Sequence, residues 1–182
     1  MAATKPKKSR SPDDLKKLAK LIKGIKFAML TTATRDGTLR SRPMATQRRE
    51  FDGDLWFFTD DDTAKVHEIH DDAHVNVAYA DPDSNTYVSV SGRASLVKNR
   101  AKARELWNPA YRAWFPDGLD DPRLALIRVS VETAEFWDTP SSAMVHLYGV
   151  VKAMVTGKPA NPGDNKRIRL KPAGATGRAA QR

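Results

Sequence analysis

Trp56-Phe57-Phe58-Thr59-Asp60-Asp61-Asp62-Thr63-Ala64-Lys65 is the stretch that decides how the rest of this chain is read. An aromatic strand ends in a threonine, turns through three aspartates and enters a short helix carrying Thr63 and Lys65. Such a junction can bring two hydroxyls, free amide N–H groups and an ammonium to one point. Unpaired amides and the positive end of the helix dipole favour an anion there, and phosphate is the usual one. The same residues also suit a plain strand–turn–helix junction with Asp61 or Asp62 as N-cap. The local pattern does not choose between the two.

The period-two pattern continues on both sides. Before the junction, Phe27–Ala33 reads as a strand, Arg35-Asp36-Gly37 as a hairpin turn and residues 39–50 as its long partner. Asp52-Gly53-Asp54 then turns into a strand over 55–58. After the junction come a helix over 63–70, a strand over 75–80, a turn at Asp81-Pro82-Asp83-Ser84 and a strand over Thr86–Val97. Asn99 caps a helix running through Trp107. Residues 108–122 read as a loop with a helical middle, and strands over 124–137 and 144–156 close the pattern. Upstream, Ser11-Pro12-Asp13-Asp14 starts a helix whose stripe of Leu15, Leu18, Leu21 and Ile22 ends at Gly24 and should cover one end of a sheet. These elements predict a mainly β protein, a small antiparallel barrel, closed or half-closed, with short helices. Such barrels hold ligands at the mouth or at a subunit seam.

At 182 residues the chain suits one domain with a proper core. Its formal charge of +9 is unevenly placed. Residues 1–26 and residues 152–182 each carry a net +7, so the body between them is mildly acidic, at −5. Basic ends draw a protein weakly towards polyanions without defining a specific nucleic-acid site. With no cysteine, disulfides, thiolate catalysis and zinc–sulfur sites are excluded. No apolar stretch approaches a membrane span, and residues 1–10 lack the core of a secretory signal, so a cytoplasmic protein with no membrane partner is expected. The organisation read here is a disordered basic tail over 1–11, one domain over 12–156 and a second disordered basic tail over 157–182.

Arg42-Pro43-Met44, Phe58-Thr59-x3-Thr63-x-Lys65, Val88-Ser89-Val90-Ser91-Gly92-Arg93-Ala94 and Glu135-Phe136-Trp137 occur in this order. Trp107-Asn108-Pro109, Trp114-Phe115-Pro116-Asp117-Gly118 and Asp120-Asp121-Pro122 add a further series. Together they resemble the pyridoxamine 5′-phosphate oxidase-like flavin-binding split barrels, in particular the general stress protein 26 branch. The resemblance runs over roughly residues 12–156 and implies a six-stranded split barrel. It further implies a homodimer with FMN at the subunit interface. On that resemblance, Arg42 reaches the FMN phosphate, and Thr63 and Lys65 grip it. Met44 and Ala45 lie along the isoalloxazine, Phe58 and Thr59 sit beside the flavin, and Trp137 lies near it across the dimer. The chemistry fits independently. Arg42 can meet a dianionic phosphate with a planar fork of charge-assisted bonds, and Lys65 supplies a point charge.

Departures from the pattern bear on activity. A phosphate-side position that is often arginine in the oxidase is Ala64 here, and the oxidase's glutamine falls on Tyr87. The Arg-Leu-His-Asp-Arg run that holds the vitamin's phosphate is replaced by Asp138-Thr139-Pro140-Ser141-Ser142-Ala143. The resemblance therefore implies FMN binding without implying oxidation of pyridoxamine phosphate. It leaves a flavin-dependent oxidoreductase acting on a small molecule, with a non-catalytic flavin-binding or redox-sensing protein as the alternative. No side chain is assigned as a catalytic acid or base.

Other constellations read as structural. His67, His70 and His74 are not in the His-Glu-x-x-His arrangement of zinc hydrolases, so no metal site is assigned. Asp60, Asp61 and Asp62 are expected to face solvent and complement the helix dipole. Trp107, Trp114 and Phe115 are expected in packing. Arg40, Arg42 and Arg48 share one strand face by period two, with Arg42 the phosphate candidate.

Overall fold

The computed structural model describes residues 12–47, 51–138 and 164–169. Strands β1 (Phe27–Ala33), β2 (Leu39–Ala45), β3 (Asp54–Asp60), β4 (His74–Asp81), β5 (Thr86–Val97) and β6 (Leu124–Asp138) form one antiparallel sheet in the order β2-β1-β4-β5-β6-β3. The sheet curls until its two end strands, β2 and β3, touch without pairing. This is a split barrel, and the split lies between the two free edges. Three short helices complete it: α1 (Pro12–Ile22), α2 (Ala64–Asp71) and α3 (Arg100–Leu106).

Alternation builds the interior. In β3, Leu55, Phe57 and Thr59 are buried in the barrel, while Trp56 and Phe58 face the other way. In β5, Val88, Val90 and Ala94 point inward. With Leu30, Val77, Ile127, Val129 and Phe136 they make the main core, from which water is removed almost completely. Helix α1 inserts Leu18 as a plug, and its Lys17 ammonium stands 4.4 Å over the Phe136 ring. On the outer side of β3, a second cluster joins Trp56, Phe58 and Leu126 to Ala103 and Leu106 of α3. A bulge between Ser91 and Gly92 brings β5 so close to β6 that a Cβ on Gly92 would stand 2.2 Å from the Ser130 carbonyl oxygen.

Several expectations change. The strand expected over 39–50 stops at Ala45 because its partner begins at Phe27, and the last bond runs from Thr46 N to the Lys26 carbonyl at 3.0 Å. Residues 48–50, Arg48 among them, and the strand expected over 144–156 lie outside the described residues. The loop over 108–122 holds two 3-10 helices, Pro109–Ala113 and Gly118–Asp120. Composition makes 157–182 a disordered tail, yet Asp164–Arg169 form a seventh strand, β7. The reason is topological: β6 runs past the end of β3, and its exposed edge from Thr133 to Asp138 is free to pair with β7.

Candidate functional site

The split in the barrel is also where the chain leaves β3 and enters α2. Thr63 is the N-cap of α2, in extended backbone and with no side-chain cap bond, so neither Asp61 nor Asp62 caps the helix. The Thr63 hydroxyl instead donates to the Asp60 carbonyl at 3.4 Å, as the Thr59 hydroxyl does at 2.9 Å. Both hydroxyls therefore converge on the turn, and the helix N-terminus is left without a capping side chain.

The three aspartates are not simply directed to solvent. Asp60 pairs with Arg123 at 2.9 Å, Asp61 with Lys98, and Asp62 with His67 at 2.9 Å. Each acid is held by a partner of its own.

Across the split, β2 sends Arg42 towards α2. Its Nη2 donates to Glu68 Oε2 at 2.8 Å and its Nη1 to Thr32 Oγ1 at 2.5 Å. Thr32 Oγ1 donates to the same Glu68 oxygen at 2.5 Å, and Arg40 Nη1 lies 3.4 Å from Glu68 Oε1. Glu68 is buried. Burial pushes its carboxyl upward, but the Thr32 hydroxyl and Arg42 outweigh that and hold it below the ordinary glutamate range. Lys65 is half-buried beside this network. Burial and then the Arg42 charge lower its ammonium from the ordinary value, against weaker opposing pulls from Asp60 and Glu68.

Arg42, Thr59, Thr63 and Lys65 are thus gathered at the split. Met44 is different: its side chain is in the core, so only its backbone faces the edge, and Ala45 ends the strand next to it. Phe58 turns its ring outward against Trp107 at 5.6 Å, Tyr111 at 4.9 Å and Phe115 at 6.4 Å. Trp137 lies elsewhere, on the outer face of β6 opposite Tyr87. That outer face runs from Phe27 and Met29 through Ala78 and Ala80 to Tyr87 and Trp137, and these four large side chains are all exposed.

Two residues of the site escape sequence reasoning. Glu68 looks like an ordinary polar helix residue; the signal was its place between buried Val66 and Ile69. Gln47, just past β2, accepts from the Tyr111 hydroxyl at 3.3 Å, while its Nε2 is buried without a partner among the described residues. A buried donor left unpaired calls for a ligand acceptor or a water.

Among the described residues no group of His, Cys, Asp or Glu is placed to hold a metal ion, and no helix is long and apolar enough to cross a membrane.

Residues 13–161 match the family described as pyridoxamine 5′-phosphate oxidase like. The chain is 35% identical to protein bli-3 of Neurospora crassa over 145 residues, which cover 74% of this chain and 69% of that one. Its structure resembles a general stress FMN/FAD binding protein from Xanthomonas citri with a TM-score of 0.63 and 30% identity, over 72% of this chain and 93% of that one. It resembles general stress protein 26 of Jannaschia sp. CCS1 in fold, with a TM-score of 0.73 and 21% identity, over 88% of this chain and all of that one (100%).

Proposed function

The chain belongs to the pyridoxamine 5′-phosphate oxidase-like family, and from that premise we propose that it binds FMN in the split and uses the flavin to exchange electrons with a small molecule. The observation that carries the binding is the pairing of Arg42 with Lys65 at an uncapped helix N-terminus. Lys65 is a half-buried cation whose charge is disfavoured by burial and by Arg42. A phosphate placed between them reverses that penalty, and Thr59 and Thr63 add hydroxyl donors.

The residues present fit a flavin at the other end too. The edge of β2 at Met44 and Ala45, free among the described residues, offers backbone to a flat ring, and Gln47 Nε2, without a partner among the same residues, lies just beyond, able to donate to a ring carbonyl. When bound, the cofactor supplies hydride and electron-transfer chemistry; this chain supplies orientation, charge and exclusion of water. The exposed aromatic and aliphatic face from Phe27 to Trp137 supports a homodimer with the flavin at the seam, because monomers rarely leave such patches uncovered. The Xanthomonas citri relative's description as an FMN/FAD binding protein is consistent with this reading.

Purified protein should be yellow or take up added FMN, and Arg42→Ala/Lys65→Ala should abolish this. A colourless protein that takes up no FMN would sink the reading. NADH, NADPH or reduced deazaflavin F420 should then exchange electrons with bound flavin faster than with free FMN. Equal rates would leave a flavin-binding protein without turnover.

A further inference from the structure

Outside the split, a cavity of about 170 Å³ lies between α3, the 3-10 helix Gly118–Asp120 and the start of β6. Ala103, Leu119, Leu124 and Leu126 give it apolar walls, and Lys98 and Arg100 stand exposed at its rim. Arg42, Thr59, Thr63, Lys65 and Glu68 take no part in it. One part of the wall is a carboxylate, that of Asp121, which is only 6% exposed.

The backbone puts Asp121 there. Its N–H donates to the Gly118 carbonyl at 3.3 Å, and its own carbonyl accepts from Leu124 N at 3.2 Å. Oδ1 accepts from Arg123 N at 2.9 Å, closing the turn through Pro122 into β6. Among the described residues that is the one bond of the side chain, so Oδ2 and the negative charge are left unmatched. The neighbouring cations serve other acids. Lys98 pairs with Asp61, Arg100 with Asp120 at 3.2 Å and Arg123 with Asp60 at 2.9 Å. A buried carboxylate without a cation is costly to hold, and taking one up relieves that cost.

We propose that this cavity is a second ligand site, which takes a small primary ammonium ion carrying a short apolar chain. The ammonium brings a charge and three N–H donors to the Asp121 carboxylate. The chain lies against Ala103, Leu119, Leu124 and Leu126, where it leaves water for apolar surface. Size bounds the ligand: a cavity of about 150 Å³ holds a benzene ring, so about four to six carbons fill this one. A neutral alcohol of the same length offers one donor and no charge. An anion meets the buried carboxylate, while the cations at the rim are already engaged. The site stands independently of any flavin in the split.

The test is titration of the full-length protein with n-butylammonium chloride at constant ionic strength, followed by backbone amide NMR shifts, with n-butanol as the neutral counterpart. Shifts at Ala103, Leu119 and Asp121 should saturate with a Kd of about 1 mM, modest because the ligand is small. The alcohol should bind at least about tenfold more weakly. Asp121→Asn keeps the oxygen that accepts from Arg123 N and removes the charge, so it should weaken n-butylammonium about tenfold or more. Leu119→Trp should fill the cavity and abolish binding with the carboxylate in place, and it decides the matter if Asp121→Asn loses the wild-type fold. The proposal is overturned if the wild type shows no saturable shifts at these residues or if n-butanol binds as tightly. Binding left unchanged by Asp121→Asn or by Leu119→Trp overturns it too.

Discussion

Truncating Glu68 to alanine tests whether the buried carboxylate aims Arg42 or only supports the fold. The carboxylate accepts from Thr32 at 2.5 Å and from Arg42 at 2.8 Å, with Arg40 more distant at 3.4 Å. Arg40 is mostly solvated, so its contact adds little. The two close bonds are charge-assisted, and their loss leaves the buried Thr32 hydroxyl and the half-buried Arg42 short of an acceptor. Stability should fall by about 2–3 kcal/mol. For a chain of this size that lowers Tm by about 5–10 °C at fixed protein concentration.

FMN should weaken about tenfold or more, whereas riboflavin, which has no phosphate, should be unaffected. On an Arg42→Ala background, Glu68→Ala should cost FMN affinity almost nothing, because the guanidinium it aims is gone. Glu68→Gln keeps one acceptor and should fall between. Equal weakening of FMN and riboflavin, or an undiminished Glu68 effect without Arg42, would refute the aiming role. The pH dependence has a definite sign. The folded carboxyl lies below the ordinary value, so the unfolded chain takes up the proton first as pH falls. Its stabilisation is complete above about pH 4.3, declines below that, and is gone once the folded carboxyl is protonated. Urea midpoints of Glu68→Gln should lack this slope.

Lys65→Met should stabilise the flavin-free protein while weakening FMN at least about tenfold, because it removes a cation that burial and Arg42 disfavour. The gain is no more than about 1 kcal/mol, since solvent screens the half-exposed ammonium. With a lowered folded value, the wild-type apo protein should also gain stability as pH rises towards about 10.4, a slope the Met variant lacks; an unchanged slope would count against the assignment. Gly92→Ala should cost more than about 3 kcal/mol, because its Cβ meets the Ser130 backbone at 2.2 Å and strand pairing at the bulge must open. A Tm within a few degrees of wild type would show that the bulge relaxes.

What could be read from the chain divides by the range of the forces involved. Thr86–Val97 is legible because alternation and a Pro-Asp turn are local, and the structure reproduces its bounds. Helix α3 is legible because the Asn99 side chain accepts from Lys102 N at 3.0 Å, a contact within one turn. The end of β2 is not, since it depends on where β1 begins, and β7 is not, since it depends on how far β6 outruns β3. The same division holds at the split. Thr59, Thr63 and Lys65 could be read from one strand–turn–helix junction and Arg42 from the family resemblance, and the fold gathers them. Glu68 and Gln47 could not, because their surroundings arrive from Thr32 and Arg42 in one case and from Tyr111 in the other.

The three aspartates show how distant residues set the character of the split. Taken locally, Asp60-Asp61-Asp62 makes the mouth acidic and hostile to phosphate. Arg123 lies at the start of β6 and Lys98 just past β5, and both draw carboxylates away; His67, one turn into α2, takes the third. The acids therefore brace the turn against neighbouring elements, and at the split Arg42 and Lys65 together outnumber the one buried carboxylate beside them, Glu68. Only Asp60 still acts on Lys65, and its pull is weaker than the burial and Arg42 effects that oppose it. The anion preference proposed for the split thus rests on barrel closure: curling the sheet brings β2 with its arginine to the end of β3, where Thr59, Thr63 and Lys65 already cluster around one short turn.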